Sequence, residues 1–153
     1  MKSRLIRSLL LCFPLVAAAQ TPTVDMAAAR FHPQVEWHSR SALSGDFSCQ
    51  GRVEQAIAGI AQNEIIVAVF TGGLESSPQL LRFATTSRER ARLELVAENM
   101  NFDTGKMTQM LGEIPSGMRP SATCKGIHLI NGKTDSLHIY WNHDKRLFDY
   151  WLF

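Results

Sequence analysis

Apolar residues run unbroken through Ile65-Ile66-Val67-Ala68-Val69-Phe70, between Glu64 and the turn residues Thr71-Gly72-Gly73. A strand apolar at every position is covered on both faces, so this segment predicts a central strand. Gln55–Ala61 precedes it across the polar turn Gln62-Asn63-Glu64 and predicts its neighbour. Pro78–Phe83 predicts a third, shorter strand. Near the C-terminus the pattern alternates on either side of His143-Asp144. It predicts a β-hairpin of Leu137–Asn142 and Lys145–Leu152 joined by a two-residue turn. Leu137, Ile139 and Trp141 then share a core face, and His138, Tyr140 and Asn142 share the other, which is solvated unless the hairpin is sandwiched inside the fold. That register sets His138 opposite Asp149 and Tyr140 opposite Leu147. Asp25–Arg30 predicts a short helix ended by Pro33. Arg88–Met100 carries helix formers and then alternates, which predicts a helical start and a strand finish. Met107–Pro120, with Gly112, Pro115, Gly117 and Pro120, predicts a long surface loop. The expected fold class is mainly β, or α+β: a single small antiparallel-sheet domain with a C-terminal β-hairpin.

The first twenty residues change how the composition is counted. Lys2, Arg4 and Arg7 precede an apolar stretch, Leu5–Val16, and then Ala17-Ala18-Ala19. This is the pattern of a secretory signal peptide over residues 1–19, with residues 20–153 as one exported domain. Leu11 before Cys12 is not the small residue that a lipoprotein signal requires, and no later stretch is long and apolar enough to span a bilayer. The whole chain has 16 basic and 14 acidic residues; without those three leader cations, 13 basic face 14 acidic. A net charge of about −1 gives no electrostatic case for nucleic acid or an anionic membrane. In the Arg82–Arg92 stretch, Glu89 interleaves with the arginines, as on a solvated face. Beyond the leader only Cys49 and Cys124 remain, and an even pair in an exported chain predicts one disulfide. Closing so long a loop stabilises by on the order of 4 kcal/mol in the chain-entropy account. The expected location is the periplasm or the exterior.

One loop has the skeleton of a metal site. Counted from Asp46, the residues Asp46, Ser48, Gln50, Arg52 and Glu54 fall at positions one, three, five, seven and nine, with Gly51 at the sharp-turn position six. Ile57 stands at position twelve, where an EF-hand needs its bidentate Glu. Gly45, Asp46, Phe47, Gly51, Ala56, Ile57 and Ala58 make Gly45–Phe70 resemble one repeat of the FG-GAP or VCBS family. That resemblance implies a β-blade with calcium held in the turn before a strand. It departs from the family at the ligands: Ser48 and Gln50 offer neutral oxygens, and only Asp46 and Glu54 are charged. The expectation is a degenerate loop without metal, in which the disulfide of Cys49 and Cys124 replaces the ion as the staple; the alternative is a weak calcium site on Asp46, Ser48, Gln50 and Glu54.

The remaining chemistry is sparse. His32, His38, His128, His138 and His143 show no helical zinc spacing, so no zinc site is expected. His138 facing Asp149, with Ser136 and His128 nearby in sequence, is the one catalytic candidate, but no nucleophile elbow accompanies it. A cross-strand polar pair on a solvent face accounts for it as well. The hairpin aromatics and the methionines of the loop are the better binding candidates: Tyr140, Tyr150, Trp151, Met110 and Met118. The expected function is a non-enzymatic binding protein of the cell envelope with a protein partner, possessing no cofactor. In its sharpest form it is an inhibitor or immunity-type protein acting on a cell-wall lytic enzyme. The alternatives are a small hydrolase using His138 and Asp149, and a structural accessory of the envelope.

Overall fold

The computed structural model describes residues 22–85, 93–130 and 137–152. The leader, the start of Arg88–Met100 and Ser136 lie outside the described residues. In chain order the elements are α1 (Val24–Phe31), β1 (Glu36–Trp37), a single 3-10 turn (Ser39–Ser41), β2 (Leu43–Gly45), β3 (Glu54–Ala61), β4 (Glu64–Phe70) and β5 (Gln79–Ala84). They continue with β6 (Glu94–Asn99), α2 (Thr104–Leu111), β7 (Lys125–Ile130), β8 (Leu137–Asn142) and β9 (Leu147–Leu152). The protein is mainly β, with two antiparallel sheets and the expected Cys49–Cys124 disulfide. One sheet runs β1-β3-β4-β5, with β2 also on β3; the other runs β6-β7-β8-β9.

The two sheets face each other over one core. Phe47, Ala56, Ala58, Ile65, Val67, Val69, Leu81 and Phe83 come from the first, and Leu95, Ile127, Leu129, Leu137, Ile139 and Phe148 from the second. The expected core face of the hairpin is there, with Trp141 packed at its margin. The other face of β3 and β4, carrying Ile57, Ala68 and Phe70, is covered by Val24, Ala27 and Ala28 of α1. That second cover is why IIVAVF has no polar position.

The edge beside β3 is one strand broken in two. β1 pairs at Gly59 and Ile60, and β2 pairs at Glu54, Gln55 and Ala56. At the break the buried Ser41 hydroxyl donates to the carbonyl of Ala58 at 3.1 Å and accepts from the Ala58 amide at 2.9 Å. The side chain thus stands in for a strand partner at the Ala58 amide, while the Ala58 carbonyl also accepts from the His38 amide at 2.9 Å. Gly59 is required beside it: a Cβ there would lie 2.7 Å from the Glu36 carbonyl oxygen.

Three expectations are corrected. Met107–Pro120 is not all loop, because Thr104–Leu111 is helical; Asp103 caps it by accepting from the Lys106 amide at 2.8 Å, and Gly112, at φ 82°, ends it. The hairpin turn holds four residues, His143 to Arg146, because the Asn142 side-chain oxygen accepts from the amides of Asp144 and Lys145. The register therefore slides by two: His138 faces Trp151, and Tyr140 faces Asp149. Finally, the hairpin's second face is not solvated. Tyr140 and Asn142 are buried, and the Tyr140 hydroxyl and the Asn142 side-chain amide both donate to the Ser116 carbonyl.

Candidate functional site

The loop that resembles a metal site spends its carboxylates on its own backbone. Asp46 accepts from the amides of Gln50 and Gly51, both at 2.9 Å. Glu54 is buried and accepts from the amides of Phe47 (3.1 Å) and Ser48 (2.7 Å), and from the Ser48 hydroxyl. Arg52 approaches the same carboxylate at 3.4 Å. Gln50 sends its amide, not its side chain, to Asp46. Gly51 has φ 72°, the left-handed geometry its position in the turn demands. Cys49 joins this loop to Cys124 at the start of β7, and the Lys125 amide donates to the Asp46 carbonyl beside it. The loop thus ties the first sheet to the second.

The concave feature lies on the outer face of the second sheet. Chain from Met100 to Ser121 crosses that face and leaves a groove of about 510 Å³ between itself and β8–β9. Met100, Met107, Met110, Met118, Phe102 and Trp151 form its apolar walls, and Glu98 and His138 lie at its polar end. Below it a small cluster of Met100, Met118, Cys124 and Tyr140 packs against the disulfide. None of the residues of α2 is buried, so the helix covers the groove without being locked into a core.

The five predicted contact residues have separate fates. Tyr140 and Met118 are 4% and 7% exposed, so they are buried in the groove's floor and are not free surface. Trp151 is half-buried in the groove wall, and Met110 is 64% exposed on α2. Tyr150 points to the opposite side of β9, where its ring meets Phe83 edge-on at 5.0 Å.

The His138–Asp149 pairing does not form. Asp149 bonds Lys145 Nζ at 2.8 Å and the Asn142 amide at 3.3 Å. Chiefly through the Lys145 bond, its carboxyl is held below the usual range. Burial and, less strongly, the Asp149 charge push the Tyr140 hydroxyl up. Burial, then the Arg119 charge, lowers His143 at the turn.

A carboxylate does meet His138, but it is Glu98, with Oε1 2.6 Å from Nδ1. Antiparallel pairing sets Val96, His128, His138 and Trp151 in one row across β6–β9. The His128 and His138 rings stack at 4.6 Å, and His138 stacks on Trp151 at 4.1 Å. His128 Nδ1 lies 3.8 Å from the same Glu98 oxygen. Among the described residues, Glu98, His128 and His138 are the one group of three or more His, Cys, Asp or Glu side chains close enough to hold a metal ion. Sequence spacing missed it because the three residues come from three strands. The alternation in Lys125–Ile130 was the available signal for the strand that carries His128.

No family model, no curated protein and no solved structure matches this chain.

Proposed function

We propose that this protein is an exported, non-enzymatic binding domain whose groove receives an apolar side chain or short segment of a protein partner. The groove lined by four methionines carries this reading. Methionine is unbranched and polarisable, and a surface rich in it adapts to a partner's shape. Among the described residues no serine, threonine or cysteine lines it, and the one hydroxyl in its lining, that of Tyr140, is donated to the Ser116 carbonyl. The basic, apolar and small-residue leader and the disulfide support a periplasmic or extracellular setting. In its sharpest form the partner is a cell-wall lytic enzyme that the domain inhibits. We read Gly45–Phe70 as a single degenerate FG-GAP-type repeat whose acidic groups now hold its own turn.

The test compares wild-type protein with Met110→Asp, an exposed change expected to leave stability within about 0.5 kcal/mol. Oxidised protein is incubated with envelope extract and with purified lytic enzymes. One stoichiometric partner, bound or inhibited by wild type and released by Met110→Asp, supports the reading. Binding that ignores the substitution, or no partner at all, rejects the groove as the contact site.

A further inference from the structure

The Glu98–His138 contact alone is a polar pair on a sheet. It does not explain His128, which brings a second Nδ1 toward the same carboxylate oxygen across a neighbouring strand. One carboxylate can offset only one imidazolium charge, so two imidazoles gathered on it form a better ligand set than an ion pair. Glu98 pairs with Gly126, and a Cβ there would lie 3.5 Å from Glu98 Oε2 and 2.9 Å from the Met100 sulfur. A side chain there would press first on the Met100 sulfur and the Ile139 carbonyl, while the Glu98 carboxylate lies at ordinary contact distance.

We propose that Glu98, His128 and His138 bind one divalent first-row transition ion, Zn²⁺ or Cu²⁺, on the outer face of the second sheet. The candidate ligand atoms all lie within 4.8 Å of one another. Metal–ligand bonds of about 2.0–2.1 Å place tetrahedral ligands about 3.3 Å apart. The observed 2.6 and 3.8 Å separations from Glu98 Oε1 bracket that value, and the two imidazoles, now stacked with their planes 11° apart, must turn about their side-chain bonds for both Nδ1 lone pairs to meet one ion. Two nitrogens and one carboxylate oxygen suit zinc and copper, whereas calcium requires six to eight oxygens. Three protein ligands leave a coordination position open. Glu98 and His138 both border the groove, so a donor from solvent or from a bound molecule can fill that position there. The inference stands whatever occupies the groove.

The experiment titrates the chelator-treated, disulfide-bonded chain with ZnCl₂, CuSO₄ and CaCl₂ by calorimetry, without any other ligand. We expect one Zn²⁺ or Cu²⁺ per chain, tighter for Cu²⁺, and no calcium binding at this site. His128→Ala and His138→Ala should each weaken binding by more than about tenfold, since even outer-shell partners are worth that much. His38→Ala should not. Circular dichroism must show each variant folded, and Glu98→Gln serves as a near-isosteric second variant. Cu²⁺ should also quench the indole stacked on His138, and Trp151→Phe should remove that part of the quenching. Absence of binding at 100-micromolar metal (about the weakest affinity of interest), or unchanged affinity in folded His128→Ala and Glu98→Gln, overturns the proposal.

Discussion

The Glu54 side chain is 1% exposed and takes two amide hydrogens and one hydroxyl hydrogen from Phe47 and Ser48. A carboxylate in so dry a place needs those donors, because burial without partners carries a large desolvation penalty. The donors need it equally: removing it strands the two backbone amides inside the loop. Glu54→Ala should therefore cost about 2–4 kcal/mol of unfolding free energy, measured by urea denaturation. A loss below about 0.5 kcal/mol would show that water replaces the carboxylate. Adding calcium should not restore the stability lost in Glu54→Ala, because the role of this side chain is to bond the turn itself. In this loop Asp46 and Glu54 thus serve backbone amides, and Cys49 between them serves a disulfide.

At the scale of elements, the C-terminal hairpin shows how a side chain can set a register. Asn142 is fully buried; its oxygen accepts from two turn amides, and its nitrogen donates to Ser116 and Asp149. Asp149 in turn holds Lys145, and its carboxyl is lowered below 3.8 in the folded protein. A group with a depressed folded-state pKa stabilises above its unfolded value and loses that contribution as pH falls through the folded one. Stability from this turn should therefore persist at neutral pH and fade below about pH 3.8. Unfolding titrations of wild type and Asp149→Asn should converge in that acid range and diverge above it; parallel curves would remove Asp149 from the acid transition. The strands from Glu54 to Phe70 and the two hairpin strands were legible because continuous apolar runs and alternation report burial directly. The four-residue turn was not legible, because Asn142 is an ordinary polar letter until its amide is seen capping the loop. Two- and three-residue β1 and β2 give no period, and Ser41 bridges the break between them at Ala58. The helix α2, with Thr104 and Gly105 in its first turn, falls among glycines and prolines that signal a loop. Glu98, His128 and His138 become neighbours only once β6, β7 and β8 are aligned, a long-range pairing that local patterning does not encode.

Across the whole molecule, two sheets that share a core must also manage their edges. On one side β2 and β3 lie against β6; on the other β5 lies against β9. There the side chain of Gln79 on β5 bonds both backbone groups of Phe148 on β9, donating to its carbonyl at 2.9 Å and accepting from its amide at 2.8 Å. A side-chain amide thus acts as a strand partner, and Phe83 against Tyr150 extends the same seam. The disulfide and the Lys125–Asp46 bond fasten another junction between the sheets. The sandwich is fastened at separate points and held between them by side-chain packing. Gln79→Ala leaves the Phe148 amide and carbonyl without these partners and should cost about 1–3 kcal/mol. If the seam opens locally, hydrogen exchange should accelerate at Phe148 and along β5 while amides in β3 and β4 stay protected. Uniform acceleration across both sheets would mean instead that the seam opens only with global unfolding, making Gln79 a determinant of the whole fold's stability. Either pattern would leave the outer-face groove in place in the folded state, since its walls come from Glu98 to Met118 and from β8–β9.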